Sequence, residues 1–151
     1  MLVIAIGCRM MKDDAIGVLV AEHIQKKLND NGIHVVIAET DFAFGIFALE
    51  NDDHVIVLDA FCSGKKPGES TVLSLQEIEN EETMQVSQHE HSLLDFIKQP
   101  AAEVHGYMIG IEAADIYYGL ELSVQLKMLF NNICSSVEQI ILNDLYNGRG
   151  L

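Results

Sequence analysis

Leu-Val-Ile-Ala-Ile at positions 2–6 is apolar at every residue and stops at Gly7. A strand with one face in water alternates polar and apolar residues, whereas a strand covered on both faces does not. This opening therefore predicts a buried strand in a sheet flanked by helices on both faces. Val55–Leu58 repeats the pattern and hands over to Asp59, and Val104–Ile111 is a late strand of similar kind. His34–Ala38 is a further strand, and Thr71–Ser74 is a short one suited to an antiparallel edge.

Helical spacing fills the gaps between these strands. Ile16, Leu19, Val20, His23, Ile24, Lys27 and Leu28 recur at steps of three and four, and Asn31-Gly32 supplies a stop. Phe44–Glu50 reads as a short helix, and Ser92–Lys98 as another that ends before Pro100. Glu77–Gln85 is an acidic loop or a frayed helix. From about Glu121 to Tyr146 runs a long amphipathic helix, striped by Leu126, Leu129, Ile133, Val137, Ile140, Ile141 and Leu145. Strands alternating with helices imply right-handed crossovers. The expected fold is α/β: one doubly wound, mostly parallel sheet with helices on both faces and one antiparallel edge strand, in a single domain spanning 1–151. In such sheets ligands bind beyond the carboxyl ends of the strands, where the strand order reverses. The residues to examine thus follow Gly7, Ala38, Leu58 and Ile111.

Charge narrows the partners. With 23 acidic and 9 basic residues the formal net charge is −14. Such a surface repels phosphate backbones and anionic membranes and attracts cations, basic peptides and cationic protein faces. No apolar run approaches 18 residues, the length that reads as a membrane span. Three cysteines (Cys8, Cys62 and Cys134), an odd number without a Cys-x-x-Cys, suit free thiols in a reducing, cytoplasmic compartment. The apolar start at Met1–Gly7 is too short for a signal peptide and lacks a basic lead-in.

Three groups in the search area carry chemistry. Asp13-Asp14 precedes the first helix, where one acid would serve as an N-cap and the other would face the crevice. Asp59 follows a core strand, and a buried carboxylate there requires a hydrogen-bond partner or a metal. His89 and His91 lie in a loop before a helix, and their i, i+2 spacing gives one as a ligand and the other to solvent. Two carboxylates and one imidazole form an open, three-ligand set for zinc, nickel or a similar divalent ion. Cys8 and Cys62 also approach this region, or serve as small buried hydrophobes. The chain has no dinucleotide fingerprint, no Walker-type loop and no Gly-x-Ser-x-Gly elbow.

Taken in order, these residues resemble the NiFe-hydrogenase maturation endopeptidases. That family's first block runs from a strand through Gly-Asn to an acidic pair, a small residue, an apolar residue and Gly; here it is matched by Ile6–Val18, with Asp13-Asp14-Ala15-Ile16-Gly17. Its second block, an apolar strand into Asp-Ala and then Pro-Gly, is matched by Val55–Ala60 and Pro67-Gly68. Ser87-Gln88-His89 matches a Ser/Thr-x-His before a helix, and Gly110-Ile111-Glu112 with Gly119-Leu120 matches the last block. The chain departs from the pattern at Cys8, where the family has Asn, and at Ala113, where it has Pro. Its third departure is Glu39-Thr40-Asp41-Phe42, which replaces a glycine-rich strand exit.

The resemblance implies a hydrolase, an aspartyl-type protease that removes the C-terminal extension of a hydrogenase large-subunit precursor after nickel insertion. It implies Asp14, Asp59 and His89 as metal ligands and Asp14 as the catalytic group, with Asp41 in the substrate-recognition loop. The metal is implied to be nickel delivered with the substrate, with zinc or cadmium able to substitute. The precursor is the expected partner and a monomer the expected state, with neither nucleic acid nor membrane expected as a partner. Two other readings use the same residues: a nickel-checking chaperone of this fold that has lost cleavage, and a receiver-like regulatory module. The receiver reading needs a lysine after the last strand, and none follows Ile111 until Lys127.

Overall fold

The computed structural model describes residues 1–49, 54–75 and 104–147. Five strands form one sheet: β1 (Leu2–Ile6), β2 (His34–Glu39), β3 (His54–Phe61), β4 (Ser70–Ser74) and β5 (His105–Glu112). Their spatial order is β2-β1-β3-β5-β4. The first four in that order are parallel, and β4 runs antiparallel along the β5 edge, pairing Ser70 with Ile111 and Ser74 with Tyr107. The doubly wound, mostly parallel sheet with one antiparallel edge strand is therefore what the strand patterns predicted.

Three helices lie among the described residues: α1 (Ile16–Asp30), α2 (Phe42–Leu49) and α3 (Val124–Asn147). Side-chain alternation divides the strands between two cores. Val3, Ala5, Ile56, Leu58, Ile109 and Ile111 face α1 and α3, which contribute Ile16, Val20, Ile24, Leu126 and Val137. Leu2, Ile4, Ile6, Val55, Val57 and Met108 face the opposite side, where Ala48 of α2 packs. β1 and β3 are thus buried at every residue because helices cover both faces.

Strand and helix limits shift where tertiary pairing extends them. β3 continues to Phe61, three residues past its predicted end, because β5 pairs with it as far as Phe61–Glu112. α2 starts at Phe42 rather than Phe44, because Asp41 caps it: the Phe44 amide donates to Asp41 Oδ1 at 3.1 Å. α3 begins at Val124 rather than Glu121, at a cap where the Leu126 amide donates to Ser123 Oγ. The segments containing Glu77–Gln85, Ser87–His89, His91 and Ser92–Lys98 lie outside the described residues. No helix among the described residues is long and apolar enough to cross a membrane.

Candidate active site

The chain passes from β1 to β2 on one side and then crosses over β1 to β3 on the other. Right-handed crossovers put α1 and α2 on opposite faces, so a crevice opens between the carboxyl ends of β1 and β3. The ladder joining these two strands ends at Ala5–Leu58. Asp59 is the next residue, 0% exposed, beyond the β1 pairing but still paired to Gly110 of β5. Its Oδ1 accepts from the Ala60 amide at 2.7 Å.

Two glycines draw the opposite wall of the crevice onto these strand ends. Gly7 has φ +133, a backbone conformation suited to glycine, and a Cβ there would lie 2.0 Å from the Asp14 carbonyl oxygen. At Gly17 a Cβ would come within 2.8 Å of the Leu58 carbonyl oxygen and 3.0 Å of Asp59 Cα. The start of α1 therefore seats directly on the end of β3. Asp14, 2% exposed, and Asp59 consequently lie at the same end of neighbouring strands. The Cys8 amide donates to Asp14 Oδ2 at 2.6 Å, closing the loop that leaves β1.

The acidic pair divides its work, but not as predicted. Neither aspartate caps α1: its N-cap is Ala15, with no side-chain cap hydrogen bond, because Asp13 and Asp14 are taken into a preceding 3-10 turn, Lys12–Ala15. Asp13, 0% exposed, turns instead to the segment after β5. Its Oδ2 accepts from the amides of Ala114 at 2.9 Å and Asp115 at 3.0 Å, and its Oδ1 from the Ser123 amide at 2.7 Å. Lys12 (φ +46) reinforces that junction through an ion pair with Asp115 and a backbone bond from its amide to the Gly119 carbonyl. Asp13 is thus the clamp, while Asp14 closes the turn that leaves β1.

A third acid of consequence was read only as part of a motif. Glu112, 3% exposed, ends β5 and accepts from the Ser63 hydroxyl at 2.6 Å and from the amides of Ser63, Gly64 and Lys65 at 3.1, 2.7 and 3.2 Å. Burial pushes this carboxyl up, but the Ser63 hydroxyl and the three amides outweigh it and hold the group below its ordinary value. Its position after a fully buried strand was the available signal, the same one that singled out Asp59.

At the β2 exit, Glu39 takes φ +53, where the resembling family carries glycines. Arg9 holds it there by a 2.7 Å bond from Nε and also grips Glu22 with its other nitrogens. Asp41 follows, exposed, with one carboxylate oxygen engaged in capping α2. Of the thiols, Cys8 is half-buried beside Asp14, Cys62 is exposed, contrary to its reading as a buried hydrophobe, and Cys134 is buried on the core-facing side of α3. His54, the first residue of β3, is buried, with Nε2 2.8 Å from Asp144 Oδ2.

Two buried carboxylates are hard oxygen donors of the kind that divalent cations accept. His89, the third predicted ligand, lies outside the described residues, and among the described ones no three potential ligands converge. The donor chemistry of Asp14 and Asp59 fits a divalent ion completed by an imidazole.

Comparison with known proteins agrees with the fold. The sequence profile of a family described as HycI, hydrogenase maturation protease, matches residues 18–141. A NiFe hydrogenase maturation protease, HybD from Thermococcus kodakarensis, superposes with a TM-score of 0.73 at 26% identity, covering 92% of this chain and 97% of that one. The hydrogenase maturating endopeptidase HybD from E. coli gives a TM-score of 0.76 at 20% identity, covering 97% and 93%. HycI from Thermococcus kodakarensis KOD1 gives 0.71 at 22% identity, covering 92% and 90%. No curated protein sequence matches the chain.

Proposed function

Because this chain belongs to the hydrogenase maturation protease family, a family of peptidases, we propose that it removes the C-terminal extension of a NiFe-hydrogenase large-subunit precursor after nickel has been inserted. The observation that carries this reading is the pair of buried carboxylates, Asp14 and Asp59, at the strand-order reversal. The family match removes the receiver-like alternative.

In this reading Asp14, Asp59 and His89 hold the metal that arrives with the precursor, and zinc or cadmium would be held by the same donors. A bound divalent ion polarises a carbonyl and acidifies water. The protein's own residues do the rest. The Cys8 amide orients Asp14 Oδ2. Asp14 takes a proton from the attacking water as the water oxygen bonds to the scissile carbonyl carbon. The C–N bond then breaks, and the departing amine leaves with that proton. Asp13 keeps the far wall in register, and Asp41 meets the substrate beside the β2 exit.

The test is to mix the protein with nickel-loaded and nickel-free precursor and weigh the products by mass spectrometry. Release of a C-terminal peptide from the nickel-loaded form alone, lost in Asp14→Asn, Asp59→Asn and His89→Ala but kept in His91→Ala, is expected. No release from an authentic precursor by the folded protein would overturn the reading in favour of a nickel-checking chaperone.

A further inference from the structure

Two non-glycine residues among the described ones hold φ in the left-handed region, Lys12 at +46 and Glu39 at +53. Steric crowding disfavours that region for an L side chain, and only glycine, asparagine and aspartate visit it readily. Such a residue persists only where its surroundings fix it. Lys12 is fixed at the Gly119 junction, through its own amide. Glu39 lies where β2 leaves the sheet. The Asp41 amide donates to the Ala38 carbonyl at 2.8 Å, which makes Glu39 the second residue of a tight turn over 38–41. Turns with positive φ at that place are dominated by glycine, asparagine and aspartate. A glutamate there needs a hold from outside the turn.

Arg9 supplies it. Its Nε donates to Glu39 Oε1 at 2.7 Å, while its two terminal nitrogens fork onto Glu22 at 2.5 and 3.2 Å. Glu22 belongs to α1, which is seated on the end of β3 through Gly17. The helix therefore anchors one side of the guanidinium, and the β2 exit takes the other. These three side chains are between 37% and 43% exposed, and a single ion pair that open to water contributes little. A planar guanidinium bound to two carboxylates, however, fixes direction as well as distance. On the backbone side, the Gly7 amide donates to the Glu39 carbonyl at 3.1 Å. The β1–β2 register also slips between Ala5 and Ile6, leaving Ala38 as an extra residue on β2. A bulge of this kind re-aims the chain that follows it.

What the turn aims is Asp41, an exposed residue at the carboxyl end of a strand beside β1. Ligands of doubly wound sheets approach from that end. We propose that Arg9 is a positioning residue for substrate recognition: anchored on Glu22, it holds Glu39 in the left-handed conformation and so presents the β2 exit, with Asp41, to the substrate protein. The proposal rests on the processing reading for the identity of that protein.

The test makes Arg9→Ala in the full chain twice, once with Glu39 in place and once together with Glu39→Gly. Glycine takes a positive φ unaided, so Arg9 should matter only while the glutamate is present. A non-glycine residue left to itself visits the left-handed region rarely. A surface that is formed for only a fraction of the time binds more weakly by that fraction. Arg9→Ala alone is thus expected to raise KM for the nickel-loaded precursor about 10-fold with kcat within about twofold. Added to Glu39→Gly, the same change should move KM by less than about twofold. A merely structural role would lower Tm without producing that contrast. Binding of the precursor is measured by sedimentation, separately from cleavage. If the wild type cleaves and Arg9→Ala leaves KM unchanged, or raises it equally in both backgrounds, the positioning role is overturned while the peptidase reading stands. If the wild type binds without cleaving and Arg9→Ala weakens binding only while Glu39 is in place, the positioning role is supported and the peptidase reading falls. If the wild type does not bind the precursor, both are overturned.

Discussion

Replacing Asp13 by alanine removes a fully buried carboxylate that accepts three backbone amides, those of Ala114, Asp115 and Ser123. Hydrogen bonds to a charged group contribute about 1.5–3 kcal/mol each, and a buried donor left without a partner costs a similar amount. Two of the three bonds share Oδ2, and all three donors are only partly buried, so water recovers some of the loss. A net destabilisation of about 3–5 kcal/mol follows, against the roughly 5–15 kcal/mol available to a typical domain. In a chain of this size about 1 kcal/mol moves Tm by roughly 2–4 °C, so Asp13→Ala should melt roughly 6–20 °C below wild type. Its neighbour provides the control. Asp14→Asn keeps the side chain's shape and disturbs one amide contact, the one from Cys8, so its Tm should stay within about 2 °C while processing is lost. Thermal unfolding followed by circular dichroism, repeated in urea, measures both. Equal Tm values for Asp13→Ala and wild type would refute the clamp, and a collapse of Asp14→Asn would refute the division of labour between the two acids.

Other outcomes follow from the same contacts. Glu112 has a folded-state pKa held below its ordinary value, so its contribution is present above the ordinary carboxylate range and is lost as pH falls through the folded value. The Tm gap between wild type and Glu112→Gln should therefore be widest near neutral pH and shrink on acidification; a gap independent of pH would refute the Ser63–Lys65 nest as its source. Burial pushes the Cys134 thiol up from 9.0 to about 11, so its stabilising effect is complete below 9.0 and fades as pH rises toward about 11. Wild type should lose Tm over that window more steeply than Cys134→Ala, and in peptide mapping exposed Cys62 should be alkylated well before Cys134. His54→Ala leaves Asp144 buried without its 2.8 Å partner, and a buried polar group that loses its hydrogen-bond partner costs about 1–3 kcal/mol. The double variant His54→Ala/Asp144→Ala should recover part of that loss in urea denaturation, and strict additivity would contradict a coupled pair.

The local patterns made much of the architecture legible. Leu2–Ile6 and Val55–Leu58 read as strands covered on both faces, and α1 and α3 announced themselves by helical stripes whose main members, Ile16, Val20, Ile24, Leu126, Ile133 and Val137, are all buried. Asp14 and Asp59 were singled out because acids that follow apolar strands in a doubly wound sheet fall beside the crevice. The limits of β3 and α2 were not legible, because β3 is prolonged by β5, more than 40 residues away in sequence, and α2 by a cap that competes with turn geometry. The roles of Asp13, Glu112 and His54 depend on partners roughly 50 to 110 residues distant. No periodicity encodes such contacts, since hydrogen bonds over that separation exist only once the sheet has set its register.

Periodicity and strand chemistry in the sequence alone thus determined a doubly wound sheet, its buried faces and a family resemblance, and marked Asp14 and Asp59, which are buried, as acids near the strand ends. Only the tertiary structure decided which aspartate of the pair clamps the segment after β5, because the choice depends on where that segment presents its amides. Only it brought Met10, Met11 and Lys12 against Gly119, because those backbone bonds unite chain segments more than 100 residues apart.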